Sequence, residues 1–325
     1  METARPLLPS RIFFTLTGNC NLKCKSCYNQ QSGNYFSEPE LIKVKKIIDR
    51  IKEANIPEVV VTGGEPFLCR DIFTIIDYLL LNNFRVRVNT NGLLLSDYHI
   101  AELQKRKGVI LTIGMDGVSK KTHDFIRGEG NFDKVLIILR KLSNAGVKLY
   151  INFTATQVNL ADIWRLEKFF REFGVLRVIV NIFIRAGKGY EHRELLSPSR
   201  IGQCGLKLFN LLNNFKKDSL VTVITSCYAG YIEANIDYEA KFFFCELLPH
   251  PLGNVLKTNI QEIWDSASML SLTYPDKFGL PCAKCLLKKS CRGACRAETF
   301  AATGDLYVGN PYCGKGKIIS RLYKS

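Results

Sequence analysis

The sequence predicts an α/β fold: a partial (β/α)6 barrel of the TIM type followed by a cysteine-rich C-terminal domain. Short apolar, β-favouring runs alternate with amphipathic helical segments through the first half of the chain. A loop with three cysteines directly follows the first of these runs, at the end of a strand where α/β barrels carry their active sites. The 325 residues exceed the usual domain length, so we expect an appended module.

The elements of the barrel follow one another as alternating strands and helices. The first strand covers Arg11 to Leu16. Ser37 with Glu40 makes a capping-box signal for the first helix, which we expect from Glu38 to Ala54. Five further strands are predicted over 58–61, 85–89, 109–113, 148–153 and 175–183. The helices between these strands are predicted over 71–81, 96–105, 131–144 and 160–173.

Composition and cysteine usage indicate a cytoplasmic protein. No apolar run approaches the roughly 20 residues that span a bilayer, and the N-terminus lacks a signal-peptide core. The chain has 12 cysteines, which cluster at short spacings. In a reducing compartment such clusters are metal ligands rather than disulfides.

The first cluster, Cys20, Cys24 and Cys27, has the spacing C-x3-C-x2-C. Three thiolates are one ligand short of the four that a closed iron–sulfur or structural zinc site uses. One metal position is therefore left for something else, which is typical of a site that does chemistry at its metal. A zinc site stays open as the alternative for this cluster by itself.

The loop Gly63-Gly64-Glu65-Pro66 follows the second predicted strand. Two glycines let the backbone approach a ligand closely, and proline stiffens the exit of the loop. Glu65 offers an acceptor for an ammonium group. Taken alone, such a loop is more often a plain strand-to-helix turn.

Together, these two motifs resemble the signature of the radical S-adenosylmethionine (SAM) enzymes. The resemblance implies a [4Fe–4S] cluster on the three cysteines, with SAM at its fourth iron and the SAM amino group on the Gly63–Pro66 loop. Arg127 would meet the SAM carboxylate, although it could also be a surface arginine beside a turn glycine. The resemblance implies further contacts with the adenosine part of SAM from four residues: Tyr28, Asn91, Asn152 and Thr154.

Two positions depart from the family pattern. The residue before the third cysteine is usually aromatic, but here it is Ser26, and Tyr28 follows the cysteine instead. Gly114 stands where many relatives carry a serine that reaches the ribose. These departures weaken the expected adenosine contacts rather than SAM binding itself.

The C-terminal third carries a second cysteine pattern, C-x2-C-x5-C-x3-C, with other cysteines on both sides of it. This pattern resembles the SPASM module, which binds two auxiliary [4Fe–4S] clusters; a zinc ribbon is the alternative. The resemblance implies four ligands for one cluster: Cys282, Cys285, Cys291 and Cys313. It implies three for the other: Cys227, Cys245 and Cys295. We expect a radical SAM barrel over 1–195, a linking helical segment over 196–222 and the SPASM domain over 223–325.

Two cysteines stand outside these sets. Cys69 is expected to be a small buried apolar residue. For Cys204 three interpretations stay open: a buried structural residue, the fourth ligand of the Cys227 cluster, or a hydrogen-atom donor in catalysis. Without a fourth ligand, the second auxiliary cluster is open to water or substrate.

The resemblance implies reductive cleavage of SAM to a 5'-deoxyadenosyl radical, which abstracts a hydrogen atom from the substrate. SPASM relatives mostly act on peptides or proteins, so maturation of a ribosomally made peptide is the first expectation, with an external electron donor of the flavodoxin or ferredoxin type. Formylglycine formation in a sulfatase and modification of a tetrapyrrole side chain stay open. A non-catalytic metal-binding interaction module is a more distant alternative and predicts no SAM cleavage.

The net charge of the chain indicates which kinds of substrate and partner it could bind. A formal net charge of +15 favours an acidic substrate such as an acidic leader peptide. Basic charge without an aromatic-interleaved nucleic-acid motif argues against nucleic acid as a partner. Only ten residues precede the first strand, so we expect leader recognition to need a separate binding protein or the edge of the barrel itself.

Overall fold

One large sheet forms the centre of the molecule. The computed structural model describes residues 6–29, 39–196, 219–224, 227–274, 282–285, 293–311 and 313. The strands in these ranges are β1 (Arg11–Thr17), β2 (Glu58–Gly63), β3 (Arg85–Thr90), β4 (Val109–Gly114), β5 (Lys148–Ala155), β6 (Arg177–Ile182), β7 (Val221–Val223), β8 (Glu233–Asp237), β9 (Lys241–Phe243) and β10 (Pro251–Asn254). They pair in the order β10-β9-β8-β1-β2-β3-β4-β5-β6-β7.

The six predicted strands, β1 to β6, are all present, and each pairs in parallel with the next. Two strands that we did not predict extend the parallel sheet, β7 beside β6 and β8 beside β1. Because β8 comes from the cysteine-rich C-terminal part, that part is built into the barrel sheet. The domain boundaries stay predictions, and β7 straddles the predicted boundary at 222.

Helices follow the strands in the order expected for βα units. In the described ranges they are α1 (Leu41–Glu53), α2 (Ile72–Leu81), α3 (Asp97–Lys105), α4 (Lys120–Arg127), α5 (Asn131–Asn144), α6 (Leu166–Arg171), α7 (Ile260–Trp264), α8 (Ala267–Thr273) and α9 (Arg296–Thr303). Among these described helices, none is both long and apolar enough to cross a membrane.

Three helical predictions need correction. Helix α1 begins at Leu41 rather than Glu38, and its N-cap Glu40 makes no side-chain cap bond; Ser37 lies outside the described residues. Helix α4 was not predicted. The predicted helix over 160–173 is a 3-10 helix over Leu160–Arg165 followed by the short α6. Asp162 in this turn accepts from the Val118 amide at 3.1 Å, so a tertiary contact holds the tighter winding.

The two faces of the parallel sheet differ in chemistry. On the face that packs against the helices, alternate residues are apolar and fully buried, such as Ile12, Leu111 and Phe153. The intervening residues form the opposite face, which we call the interior face. Its half-buried uncharged polar members are Thr15, Asn89, Tyr150, Asn152, Thr154 and Asn181. The interior face therefore offers hydrogen-bonding groups to a ligand.

Charged side chains meet at the amino ends of β1, β2, β3 and β8. Glu58 lies 2.9 Å from the Nε atoms of both Arg11 and Arg87. Glu233 on β8 also pairs with Arg11. This amino-end ion cluster links the C-terminal strand β8 to the barrel, at the end opposite the cysteine loop.

Candidate active site

The loop after β1 carries Cys20, Cys24 and Cys27, all half-buried. Burial raises the pKa of Cys20 and of Cys24, and the nearby Cys27 thiol raises both further. Burial raises the pKa of Cys24 to about 12, so its thiolate forms only when a cation compensates the charge. The loop is thus prepared for metal binding rather than for a free nucleophilic thiolate.

The Gly63–Pro66 loop holds the cysteine loop through the backbone. Gly64 N donates to Thr17 O and Glu65 N donates to Asn19 O, both at 2.7 Å. A Cβ on Gly64 would lie 2.0 Å from the oxygen of Asn19. The close approach that Gly64 permits is to the cysteine loop, and contact of these glycines with a ligand stays a prediction.

Two further segments hold the same loop. Lys25 N donates to Ile126 O at 2.8 Å, which ties the loop to the end of α4. Gly189 N donates to Cys27 O at 2.9 Å, and this contact comes from the segment after β6. Segments that follow several strands therefore fix the cysteine loop before any ligand binds.

Glu65 is fully buried, and its carboxylate accepts three hydrogen bonds. Oε1 accepts from the Phe67 amide at 3.1 Å and the Thr90 hydroxyl at 2.6 Å, and Oε2 accepts from the Asn91 amide at 2.8 Å. Burial raises the pKa of Glu65, and these hydrogen bonds oppose the rise. A carboxylate oxygen accepts two bonds readily, so Oε2 keeps capacity for an ammonium donor.

Asn91 lies between the Gly63–Pro66 loop and the cysteine loop. Its side-chain Nδ2 donates to Asn21 Oδ1 at 2.8 Å and lies 3.9 Å from Cys20 Sγ. Its Oδ1 accepts from the Leu93 amide at 2.9 Å. Asn91 therefore organises the loop around Cys20.

Arg127 is held by a buried carboxylate. Its Nε donates to Asp116 Oδ2 at 2.7 Å, and the Asp116 side chain is fully buried. A Cβ at Gly114 would lie 2.5 Å from the Arg127 guanidinium. The absence of a side chain at position 114, which we treated as a departure, thus makes room for Arg127.

Asn152 and Thr154 lie beside this pair on β5. The Thr154 amide donates to Asp116 Oδ1 at 2.7 Å, so the strand itself positions Asp116. Asn152 Oδ1 accepts from Asn181 Nδ2 at 2.5 Å. Sequence reasoning did not include Asp116 among the site residues, although its Asp-Gly step after β4 was a visible signal.

Tyr28 points towards the C-terminal part of the chain. Its hydroxyl donates to Glu246 Oε2 at 3.0 Å. Burial raises the pKa of Glu246 to about 7. Sequence reasoning missed Glu246, and the available signal was an acidic residue directly after Cys245. This bond connects the cysteine loop with the segment that carries a predicted auxiliary-cluster ligand.

The structure brings Cys227, Cys245 and Cys295 together. Burial raises the pKa of Cys245 well above its usual value, and Cys227 and Cys295 raise it further because they lie nearby. In the second predicted set, Cys285 N donates to Cys282 O at 3.0 Å, and Cys313 is half-buried. Cys291 and Cys204 lie outside the described residues. Cys69 is buried in the core, as expected.

The donor set fits an iron–sulfur cluster with one open position. The thiols of Cys20, Cys24 and Cys27 are its donors, with Glu65 and Arg127 as the neighbouring charges. In the part of the chain that the structure describes, no three His, Cys, Asp or Glu side chains are arranged around a single metal ion. A cubane cluster instead takes one thiolate at each of its irons, so its ligands need not converge on one point.

His123 on α4 is fully buried beside this site, against Phe132. Neither ring nitrogen has a hydrogen-bond partner among the described residues. Burial, followed by the positive charge of Arg127, lowers the pKa of His123 to about 4. The imidazole is therefore neutral in the folded protein.

This burial makes stability depend on pH. Unfolded histidine binds a proton below about pH 6.5, but folded His123 does so only near pH 4, so stability is lost as the pH falls through this window. Below about pH 4, this effect of His123 lowers the free energy of unfolding by about 3 kcal/mol relative to neutral pH. We expect His123→Leu to flatten the stability curve between pH 7 and pH 4.5, measured by urea unfolding. Equal slopes in the parent and the variant would contradict this account.

Comparisons with known proteins agree with this geometry. Residues 14–170 match the Radical SAM superfamily, and residues 227–295 match the SPASM iron–sulfur cluster-binding domain. The chain is 28% identical to the AdoMet-dependent heme synthase of Methanosarcina barkeri, over 94% of this chain and 96% of that protein. It is 26% identical to the mycofactocin maturase MftC of Mycolicibacterium smegmatis, over 95% of this chain and 83% of that protein.

The fold is also similar to a solved structure. The crystal structure of Streptococcus suis SuiB bound to precursor peptide SuiA aligns with a TM-score of 0.79. The identity is 15%, and the alignment covers 95% of this chain and 77% of that one. The chain belongs to the radical SAM superfamily and is an enzyme with a C-terminal SPASM domain, whose cofactors are SAM, a [4Fe–4S] cluster and auxiliary iron–sulfur clusters.

Proposed function

We propose that this enzyme modifies a peptide, by maturation of a ribosomally synthesised precursor. The observation that carries this proposal is the chemistry of the interior face, which is polar but largely neutral. Its half-buried cations Arg11 and Arg87 are compensated by Glu58, and Arg127 at its carboxyl edge is compensated by Asp116; the exposed Arg177 lies at the opposite, amino end of β6. Such a surface suits peptide amide groups, whereas the carboxylates of a tetrapyrrole would need unpaired cations. Similarity to a mycofactocin maturase supports the same conclusion.

At the active site, Cys20, Cys24 and Cys27 would hold the [4Fe–4S] cluster. Bound cluster and SAM supply reductive cleavage of SAM and abstraction of a substrate hydrogen atom. Glu65 would accept from the SAM ammonium group through Oε2. Arg127, oriented by Asp116, would keep its two Nη atoms for the SAM carboxylate. The adenosine part of SAM would be contacted by Tyr28, Asn91, Asn152 and Thr154.

In the SPASM domain, we assign one auxiliary cluster to four ligands: Cys282, Cys285, Cys291 and Cys313. The second would be held by Cys227, Cys245 and Cys295, whose mutual proximity supports this grouping. Its fourth position would belong to Cys204, to a substrate group or to water. Iron content near 12 per chain is the expectation for three [4Fe–4S] clusters.

The proposed partners follow from charge and chemistry. The formal net charge of +15 on this chain favours an acidic precursor peptide, bound with a separate leader-binding protein. The electron that cleaves SAM would come from a flavodoxin or ferredoxin. These roles agree with a cytoplasmic location and need neither a membrane nor nucleic acid.

Modification of a tetrapyrrole is the second candidate. Similarity to a heme synthase over 96% of that protein favours it. Formylglycine formation in a sulfatase is a further alternative, and it also uses a protein substrate. Incubation of the reconstituted enzyme with candidate precursor peptides or with a tetracarboxylate porphyrin separates these functions by the mass change of the substrate.

Reductive cleavage of SAM is tested through Glu65. We expect Glu65→Gln to weaken SAM binding by about ten- to a hundredfold, because a charge-assisted hydrogen bond to the ammonium group is lost. The measurement is SAM affinity of the anaerobically reconstituted protein, together with 5'-deoxyadenosine formed under dithionite. The exposed Glu53→Gln on α1 is the matched control. Unchanged affinity in Glu65→Gln would remove this residue from the SAM site.

A further inference from the structure

An uncharged polar row crosses the interior face from β3 to β6. It consists of Asn89, Thr112, Asn152 and Asn181, and we call it the amide row. Asn89 is the register partner of Thr112, and Asn152 lies two residues before Thr154, the register partner of Asn181 on β6. Residues paired in register point to the same face of a parallel sheet, so these side chains form one continuous surface.

The amide row has unused hydrogen-bonding capacity. Thr112 is 2% exposed, and its hydroxyl has no hydrogen-bond partner within the described ranges. Asn181 donates to Asn152, which leaves the Asn152 Nδ2 donor and the Asn181 Oδ1 acceptor unpaired among described residues. A buried hydroxyl without a partner costs roughly 1 to 3 kcal/mol, so its presence indicates a ligand that supplies the partner.

The row lies directly below the active site. Thr112 is two residues before Gly114, whose Cα adjoins Arg127, and Asn89 is two residues before Asn91. Two residues along a strand correspond to about 6.6 Å. A group bound on the row would therefore lie within one side-chain length of the site around Cys20 and Arg127.

We propose that the amide row binds the main-chain amide groups of an extended segment of the peptide substrate. This inference rests on the proposed peptide-modifying function and names the surface that would select its substrate. The row spans three strand spacings, about 14 Å, across the strands and also rises along them, so a segment of at least about four extended residues would follow it. Its neutral donors and acceptors complement peptide groups, which also carry one donor and one acceptor each.

Thr112→Val tests this proposal because it removes only the hydroxyl and keeps the shape of the side chain. The holoenzyme with SAM is irradiated with a capped, uncharged tetrapeptide that carries a diazirine side chain, and crosslinks are mapped by mass spectrometry. In the parent, we expect crosslinks on β3 to β6. In Thr112→Val, we expect about tenfold less crosslinking, the effect of one lost hydrogen bond.

A stability measurement distinguishes a binding role from a structural one. Removal of an unpaired hydroxyl does not destabilise the fold, so the melting temperature of Thr112→Val should not fall. Asn89→Leu is the second variant, and Asn144→Ala, exposed on α5, is the control that should crosslink like the parent. Three results would each overturn the proposal. These are unchanged crosslinking in both Thr112→Val and Asn89→Leu, crosslinks that map outside β3 to β6, and a lower melting temperature of Thr112→Val.

The proposed function is judged by a different readout. Formation of 5'-deoxyadenosine and mass change of a precursor peptide are measured on the unaltered chain. Absence of peptide modification with peptide crosslinks present would refute the proposed function alone. Modified peptide without crosslinks to the amide row would refute only this inference. Displacement of the tetrapeptide by a tetracarboxylate porphyrin would overturn the assigned substrate class.

Discussion

Gly64→Ala is expected to lower the rate of SAM cleavage at least about a hundredfold. The new Cβ would lie 2.0 Å from Asn19 O and 2.8 Å from Gly18 O. Because both contacts are to backbone, the Gly63–Pro66 loop and the cysteine loop must separate, and Glu65 N loses its bond to Asn19 O. A displacement of about 1 Å at a reacting centre costs on the order of a hundredfold in rate. Iron content, SAM affinity and 5'-deoxyadenosine formation measure the effect.

Gly108→Ala is the matched control for this change. Its Cβ would lie 3.0 Å from Leu80 Cδ2, the end of a flexible side chain that is able to move. We expect its activity to stay within about twofold of the parent, in keeping with the small effects of substitutions away from packed sites. Full activity and full cluster content in Gly64→Ala would show that the two loops are not in contact in the active enzyme.

Glu58→Gln is expected to destabilise the fold by about 3 kcal/mol, because it leaves the largely buried Arg87 without its carboxylate. Arg87 and Glu58 are each 12% exposed at the side chain, so water compensates the lost ion pair poorly. Arg11 keeps its contact with Glu233, so the loss falls mainly on the link between β2 and β3. The free energy of unfolding in urea, compared at constant pH and ionic strength, measures the change.

Arg85→Met is the control at the same cluster. Arg85 is 71% exposed and lies 4.0 Å from Glu58, which is the geometry of a surface ion pair worth less than about 1 kcal/mol. Similar losses in Glu58→Gln and Arg85→Met would mean that the amino-end ion cluster is solvated and contributes little. A double variant, Glu58→Leu with Arg87→Leu, is expected to recover part of the loss, because no buried charge stays unpaired.

Local patterns predicted much of the fold and of the candidate site. The strands β1 to β6 follow from runs of β-branched and apolar residues, and the cysteine loop and Glu65 follow from short motifs. Helix α4 was missed although Ser119 caps it, because the ten residues between Gly117 and Gly128 resemble a loop. The 3-10 helix at Leu160–Arg165 was predicted as part of an α-helix. Its geometry depends on the hydrogen bond that Asp162 accepts from the Val118 amide, and the periodicity of the sequence does not reveal such a tertiary contact.

The amino-acid sequence by itself determined the chemical class of this protein, since thiolate spacing and a glycine-glycine-glutamate turn are local features. Tertiary structure decided what these residues contact. Gly64 faces the cysteine loop, Gly114 makes room for Arg127, and Glu246 receives the Tyr28 hydroxyl from 218 residues away. It also placed β8, a strand from the C-terminal part of the chain, beside β1 in the barrel sheet. Such pairings depend on packing between distant segments, which no local spacing of residues encodes.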